Sequence, residues 1–459
     1  MWWKFFAFLV ALASVSPCAD LLIQDVTVID VNTGAALPHR SILIRDKQIA
    51  AVAIKVPIPK NARIVHGAGK FAIPGLWDMH VHLWYHDNQF PLFLANGVTG
   101  VRDMGSNLAW VNHWREQIKD GKLLGPHIVT CGPAVDGGTS DDEKLPIIVV
   151  NGPNDARATF DRLDNMDVDF IKVLSRVPRD AYFALLERAR KYYIPVAGHV
   201  PSSVSLMEAI NARQKSVEHM SGVLLACSKR EDRLRNRMLL AVEKKDWNAY
   251  ADLRAEVLDT FNSKKGAEAF EQMALYDVRE VPTLGMLRRS MYADADELAA
   301  SSYVQYIPAA IKKEWTDPRL DRKKVSARTL ELANAEYEKL RDLVPIMRKA
   351  GVMMMAGTDT GDPYTFPGYD LQRELELLVG AGLSPLEALR SATLEPARYL
   401  DTTLSMGSVD AGKDADLVLL DADPLKDIRN TQKIAGVVVG GVYLPKLQLN
   451  AMLAASRKR

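Results

Sequence analysis

The hydrophobic pattern divides the chain into two strand-rich ends and a long alternating middle. Near the N-terminus, runs rich in β-branched residues are separated by turns containing Gly, Asn or Asp, at 21–31, 41–52 and 62–65. A similar pattern returns only near the C-terminus, at 416–420 and 434–443. Short β-rich runs bounded by such turns are typical of antiparallel strands. We therefore expect the segments 20–72 and 401–446 to combine into one composite β-sandwich.

Between these ends, short apolar strands alternate with amphipathic helical stretches. This alternation predicts βα units around a parallel sheet. Eight such units fit a TIM barrel, whose active site lies at the C-terminal ends of the strands. The predicted fold class is therefore α/β, with a TIM (β/α)8 barrel over 73–400 in addition to the composite β-sandwich. The candidate barrel strands are 76–82, 98–102, 127–130, 170–173, 195–199, 216–219, 281–284 and 352–356.

Two long connections interrupt the predicted barrel, at 229–276 and 285–350. The first is highly charged and has a helical pattern. Connections of this length tend to be lids or specificity elements. For 229–276, solvated helices that only pad the barrel are an equally weighted alternative. Residues 447–459 are expected to form a C-terminal tail.

The N-terminus has the pattern of an export signal. Residues 1–19 combine an early Lys4, an apolar run and a small-residue region, which together predict a signal peptide. A lipoprotein signal, with a lipid anchor on Cys18, is the alternative. The expected location is periplasmic or secreted, and that anchor would be the only attachment to a membrane. Elsewhere we find no apolar run long enough to cross a bilayer.

Composition narrows the classes of partner. Acidic and basic residues nearly balance, giving a formal net charge of +1. No basic stripe interleaved with aromatic residues is evident, so a nucleic-acid partner is not expected. Cys131 and Cys227 are far apart in sequence and are expected to be buried free thiols. A small molecule or dipeptide is the expected substrate, and a homo-oligomer is left open.

The candidate chemistry begins with His80 and His82, which close an apolar run. Residues i and i+2 share one face of a strand, so both imidazoles can reach one metal ion. A lone histidine at a strand end is more often a core residue. Four of the nine histidines fall at predicted strand ends, which reverses that balance. The complete set of candidate metal ligands is His80, His82, Lys172, His199, His219 and Asp359.

These six residues, their order and the words around them resemble the amidohydrolase superfamily, and most closely its imidazolonepropionase-like and prolidase-like branch. The resemblance covers about 20–444 and includes Gly-Thr-Asp-Thr at 357–360, Ile-Lys-Val at 171–173 and the closing motif at 407–418. It implies that Lys172 is N6-carboxylated by carbon dioxide and bridges two divalent metal ions, with zinc as the expected metal. An unmodified Lys172 paired to a carboxylate is the alternative.

The predicted function is hydrolysis of an amide or peptide bond. Metal coordination lowers the pKa of water from about 15.7 toward about 7. A metal-bridging hydroxide would attack the carbonyl of a dipeptide or N-acyl amino acid, and Asp359 would carry the proton to the departing nitrogen. Two alternatives stay open. One is a mononuclear hydrolase or deaminase of a cyclic amide or imine, using His80, His82, one later histidine and Asp359, and the other is a non-catalytic binding module.

Substrate-binding residues are expected near these ligands. The candidates are Arg102, Tyr85, Tyr364 and His127. For Arg102, a structural salt bridge at the rim is an equally weighted alternative. Glu218 directly precedes His219, so strand alternation is expected to point its side chain away from the ligands.

Overall fold

The computed structural model describes residues 20–138, 145–292, 301–314 and 326–457. The predicted signal peptide at 1–19, including Cys18, lies outside the described residues, so export stays a prediction. Within the described ranges, none of the helices combines the length and apolar character needed to cross a bilayer.

The strands fall into one group at the two chain ends and another in the middle. They are β1 (Leu21–Asp30), β2 (Ala35–Arg45), β3 (Gln48–Ala53), β4 (Arg63–His66), β5 (Phe71–Pro74), β6 (Leu76–Val81), β7 (Val98–Asp103), β8 (His127–Thr130), β9 (Ala134–Asp136), β10 (Ile147–Val149), β11 (Ile171–Val173), β12 (Val196–Gly198), β13 (Ser216–Glu218), β14 (Arg279–Val281), β15 (Leu417–Leu420), β16 (Ile434–Val439) and β17 (Val442–Pro445).

Strands from both ends of the chain form one connected sheet. Its order is β17-β16-β15-β5-β1-β2-β3, and β4 pairs with β1. The join between the two ends is the antiparallel pair β5–β15, in which Ile73 lies opposite Val418. Ile23, Ile42 and Leu419 are among the buried residues that form a separate apolar core within this sheet. Both ends of the chain therefore contribute to one sheet, which we call the terminal sheet.

The middle of the chain forms two parallel sheets, β6-β7-β8 and β10-β9-β11-β12-β13-β14. Backbone hydrogen bonds connect them: Asp169 N donates to Thr130 O at 3.0 Å on one side. On the other side, Met355 N donates to Glu280 O and Met79 N donates to Ala356 O, both at 2.9 Å. The segment 352–356 thereby bridges β14 and β6, and the arrangement is an α/β fold of the TIM-barrel type.

The seventh predicted strand is displaced. The structure places β14 at Arg279–Val281, whereas the apolar pattern indicated 281–284, and a helix begins at Leu284. The strand contains two charged residues that have buried partners: Arg279 Nη1 donates to Glu395 Oε2 at 2.6 Å, and Glu280 Oε1 accepts from Met220 N at 3.0 Å. Apolar patterning alone cannot detect a strand whose polar side chains find their partners inside the protein.

Most helices lie between the parallel strands in the chain order, and a last helix follows the final strand of the terminal sheet. They are His86–Ala95, Leu108–Lys119, Pro153–Asn165, Arg179–Tyr192, Leu206–Asn211, Val223–Ala226, Glu231–Glu243, Trp247–Asp259, Ser263–Leu275, Leu284–Tyr292, Ala309–Glu314, Ala327–Lys349, Tyr369–Gly380, Pro385–Ser391, Leu394–Tyr399 and Lys446–Ser456, with 3-10 turns at Ser302–Tyr306 and Ile428–Gln432.

The two long connections are mostly helical where they are described, and they contact each other. Three helices fill 229–276, and Leu234, Leu253 and Val257 form an apolar cluster between the first two. Arg254 binds Glu336 of the helix Ala327–Lys349 through two hydrogen bonds, Nε–Oε1 at 2.8 Å and Nη2–Oε2 at 2.5 Å. The charged segment is therefore not only a solvated face.

The C-terminal residues form a helix instead of the expected tail. The helix Lys446–Ser456 packs against His86–Ala95, the helix that follows the His80-His82 pair. Leu449 is 1% exposed and belongs to the main apolar core. The segment has an apolar face, which a short terminal sequence without strong capping signals does not make obvious.

Candidate metal centre

The six predicted ligands lie at or just beyond the C-terminal ends of the parallel strands. His80 is in β6 and His82 follows it, while Lys172 is in β11. His199 and His219 each come one residue after their strand, β12 and β13. Because the carboxyl ends of barrel strands converge at one face, these residues share a single location.

Asp359 lies between the first two histidines. Its Oδ1 is 3.2 Å from His80 Nε2 and 3.4 Å from His82 Nε2. One ligand atom from each of the three residues lies within 4.8 Å of the others, and all three side chains are buried. Imidazole nitrogen and carboxylate oxygen are ligands that zinc takes, so the donor set fits a divalent metal ion.

Lys172 and the other two histidines extend this triad. Lys172 is 2% exposed, and its Nζ is 3.1 Å from His80 Nε2. The His219 ring centroid is 4.5 Å from that of His80 and 5.1 Å from that of His199. The structure thus brings all six predicted ligands into one cluster, in which His199 and His219 are half-buried and the other four are buried.

Each of the four histidines uses Nδ1 to bind a neighbouring residue. His80 Nδ1 is 2.8 Å from Glu218 Oε2, and His82 Nδ1 is 2.9 Å from Gly105 O. His199 Nδ1 is 2.8 Å from Ser175 Oγ, and His219 Nδ1 is 2.7 Å from Thr283 Oγ1. A partner on one ring nitrogen fixes the orientation of a metal-binding imidazole. In all four rings Nε2 is therefore the nitrogen that could bind a metal ion.

Arg102 and Glu218 form a fully buried network below the cluster. Arg102 Nη2 donates to Glu218 Oε1 at 2.8 Å, Nη1 donates to Ser216 Oγ at 3.0 Å, and Nε donates to Met79 O at 2.7 Å. The prediction that Arg102 binds substrate is therefore wrong, because its donors are engaged inside the barrel. Although burial opposes it, Arg102 and His80 hold the pKa of Glu218 well below its usual range.

The expectation that Glu218 points outward is also wrong. Glu218 ends β13, and His219 has a left-handed backbone with φ of 59°. Met220 and Asp359 have similar values of 50° and 60°. Strand alternation holds only for extended backbone, so the left-handed turn lets Glu218 and His219 face the same cluster. Such backbone in non-glycine residues is often found at functional sites.

Asp78 is a supporting residue that the sequence reasoning missed. Its Oδ2 accepts from Thr358 Oγ1 at 2.7 Å, and its Oδ1 accepts from His80 N at 3.2 Å and Thr358 N at 3.1 Å. Burial raises its pKa to about 8. It holds the strand of the first histidine against the segment that carries Asp359. A carboxylate two residues before His80, in an otherwise apolar run, was the available signal.

Burial and neighbouring charges shift the pKa values of several residues of the cluster toward the forms that bind cations, although the net pKa of His82 is raised, since Asp359 outweighs its burial. Burial lowers the pKa of Lys172, and burial together with Lys172 and His80 lowers the pKa of His199 to about 3. Burial opposes ionisation of Asp359, but His219 and His80 lower its pKa well below the usual range. A neutral imidazole is the form that coordinates a metal ion.

Tyr85 and Tyr364 lie together, whereas His127 lies elsewhere. The two tyrosines are half-buried members of one aromatic cluster with Tyr303, Phe366 and Tyr369, a few residues beyond His82 and Asp359. His127 begins β8, at the opposite end of the barrel, and its Nε2 is 2.8 Å from Asp416 Oδ2. The prediction that His127 lines the pocket is wrong, because it sits at the N-terminal end of its strand.

Comparison of the chain with known proteins identifies relatives that are amide hydrolases by name. The amidohydrolase family model matches residues 71–444. Ochratoxinase from Aspergillus niger is 23% identical over 465 residues, covering 87% of this chain and 81% of its own. Among solved structures, bottromycin amidohydrolase has a TM-score of 0.74 at 23% identity, covering 95% of this chain and 90% of its own. A Xaa-Pro dipeptidase with bound methionine has a TM-score of 0.66 at 20% identity, covering 93% and 100%.

The likeness to the solved structures, at these identities, shows a shared fold. The family match spans most of the chain and includes all six residues of the cluster. Members of this family depend on metal ions, which the triad of His80, His82 and Asp359 could bind. The chain therefore belongs to the amidohydrolase family and is a hydrolase of carbon–nitrogen bonds.

Proposed function

We propose that this protein is a binuclear metal-dependent amidohydrolase that cleaves the amide bond of a dipeptide or an N-acyl amino acid. The supporting observation is the cluster in which four histidines have their Nδ1 atoms engaged and surround Lys172 and Asp359. Six ligands exceed the needs of one tetrahedral ion, so two ions account for the set better than one. The name of the Xaa-Pro dipeptidase supports a dipeptide substrate.

Each residue has a distinct part in this proposal. Bound divalent ions, with zinc as the expected metal, would supply a Lewis acid and lower the pKa of a water molecule. His80, His82 and Asp359 would hold one ion and His199 and His219 the other. Lys172, once carboxylated, would contact both. Asp359 would accept the proton of the attacking water and deliver it to the departing nitrogen.

The buried environment of Lys172 supports the proposal that it is carboxylated. A buried ammonium without a close carboxylate partner is costly, and carboxylation turns the amine into an anion that metal ions can pair with. We therefore expect two metal ions per chain in wild-type protein loaded in the presence of bicarbonate. Protein loaded with carbon-13 bicarbonate should show a carbamate signal by NMR, and Lys172→Ala should lose both the signal and metal.

The substrate class is tested with a library of dipeptides and N-acyl amino acids. Tyr85 and Tyr364 are the remaining candidates for binding a free substrate carboxylate. A free acid should then be hydrolysed roughly tenfold or more faster than its C-terminal amide, because hydrogen bonds to charged groups are the stronger ones. Full activity with one bound metal ion, or equal kcat/KM for acid and amide, would move weight to the mononuclear cyclic-amide alternative.

A further inference from the structure

We infer that the two long connections build an apolar chamber beside the metal centre, which selects substrates carrying a bulky, uncharged apolar group next to the scissile amide. The inference rests on the proposed amide hydrolysis and specifies its substrates. The chamber is a cavity of about 560 Å³, which is within the range of small-molecule sites.

The floor of the chamber adjoins two of the predicted ligands. Val200 and Met220 line it, and each directly follows a ligand histidine in the chain. Ser175, whose Oγ binds His199 Nδ1, lines it as well. The cavity therefore lies next to the strand ends that carry His199 and His219.

The two connections supply much of the wall. The helix Glu231–Glu243 contributes Met238 and Leu239, and the helix Trp247–Asp259 contributes Val257. The helix Ala327–Lys349 contributes Leu340 on the far side. The bidentate pair of Arg254 and Glu336 joins the helix Trp247–Asp259 to the helix Ala327–Lys349 across the chamber. Both connections are therefore required to enclose the space.

The charged side chains on the wall are paired. In addition to the Arg254–Glu336 pair, Arg235 Nη2 donates to Glu231 Oε1 at 2.6 Å, and Arg176 Nε donates to Asp136 Oδ2 at 2.8 Å. Since each arginine has a carboxylate partner, the wall offers little attraction to a charged group. An occupant with a neutral, apolar surface fits this lining, because its burial is favourable in proportion to its apolar area.

Two buried polar atoms on the lining have no hydrogen-bond partner among the described residues, Ser203 Oγ and Arg235 Nε. Arg235 Nη1 donates to Val204 O at 2.6 Å, which places its guanidinium beside the segment that carries Ser203. A buried donor without a partner is costly. Because both atoms are buried, they present little polar surface to an occupant, and the lining that it meets stays mainly apolar.

The test combines a binding measurement with a kinetic one. Met238→Trp should fill the chamber, and Leu239→Phe should narrow it from the adjacent position in case the first variant folds poorly. Leu240→Trp is the matched control, because Leu240 is on the same helix and is 51% exposed. Saturation-transfer NMR with the neutral probe 4-phenylbutanol reports occupancy without turnover. Two substrate series report selectivity: N-acyl alanines from acetyl to octanoyl, and N-acetyl amino acids from glycine to phenylalanine.

The wild-type protein should bind 4-phenylbutanol, and kcat/KM in one series should rise by roughly fourfold per added methylene until the chamber is full. The series that rises identifies which side of the amide enters. Met238→Trp should weaken probe binding and reduce the rise by roughly fifteenfold, the effect of excluding about two methylene groups. The smallest substrate of each series, and all substrates with Leu240→Trp, should stay near wild-type values.

The inference is overturned by any of three results: the probe does not bind wild-type protein, it binds Met238→Trp and Leu239→Phe as tightly as wild type, or kcat/KM rises in neither substrate series. Absence of hydrolysis of any amide by protein carrying two metal ions is a different result. It contradicts the proposed function, and the probe titrations alone then show whether the chamber binds an apolar group.

Discussion

At the scale of single residues, the orientation of each histidine in the cluster depends on a partner outside the set of predicted ligands. His80 is the clearest case, because Glu218 holds its Nδ1 and Arg102 holds Glu218. In Glu218→Gln, one carboxylate oxygen is replaced by an amide nitrogen, which can donate a hydrogen bond but not accept one. We expect metal affinity to fall by roughly 10–100-fold, as is typical when a partner of a ligand histidine is changed.

Competition with a chelator measures this loss of affinity, and circular dichroism checks that the variant is folded. The control is Glu268→Gln, because Glu268 is exposed on the helix Ser263–Leu275. Equal affinities for Glu218→Gln and the control would show that His80 does not need this carboxylate.

These residues also show what a sequence can reveal about the site. The ligands could be predicted because a histidine, lysine or aspartate at the end of an apolar strand is unusual, and a barrel brings strand ends together. Glu218, Arg102 and Asp78 could not, because their roles depend on partners far away in the chain and on left-handed backbone after β13. Arg102 and Glu218 become partners only when the strands are aligned in the barrel.

At the scale of elements, the C-terminal helix Lys446–Ser456 is part of the core that supports the metal-binding face. Leu449 is 1% exposed, whereas Leu447 on the same helix is 82% exposed. We expect Leu449→Ala to lower the free energy of unfolding by about 2–5 kcal/mol, because it leaves a cavity, and Leu447→Ala to change it little. Chemical denaturation of both variants measures the difference, and equal values would contradict a core role for this helix.

The hydrophobic periodicity of the sequence predicted well the strands and helices that bury one face, and it predicted other elements poorly. It predicted the strands that carry His80, Lys172 and His199 close to their observed positions. It missed β9 and β10, which are three residues each. It also displaced β14, because Arg279 and Glu280, two buried polar residues, interrupt the apolar run there. The lengths of the connections 229–276 and 285–350 indicated a functional role for them. They did not indicate that the two connections contact each other.

At the scale of the whole molecule, His127 joins the barrel to the terminal sheet. Burial lowers its pKa, but the paired Asp416 and nearby Asp414 outweigh burial and Lys47, and the net pKa is raised. A raised pKa in the folded state stabilises the protein fully below the ordinary pKa of histidine, and this stabilisation is lost as pH rises through the raised value. The contribution is modest, because the His127 side chain is 40% exposed.

His127→Gln should therefore lower Tm more at pH 6 than at pH 9. Thermal unfolding of wild type and variant at both pH values measures the two differences, and the exposed His113→Gln serves as the control. A Tm difference that is the same at pH 6 and pH 9 would mean that charge on His127 does not join the two parts.

The shared terminal sheet also has a consequence for biosynthesis. β5 precedes the entire barrel, yet one of its edges pairs with β15, where Phe71 lies opposite Leu420. A ribosome releases that partner strand only after almost all of the barrel has been made. Until then β5 has an unpaired edge, which is the kind of surface that promotes aggregation. A nascent or prematurely ended chain thus differs from a complete one by an open strand edge, which quality-control proteases and chaperones can recognise.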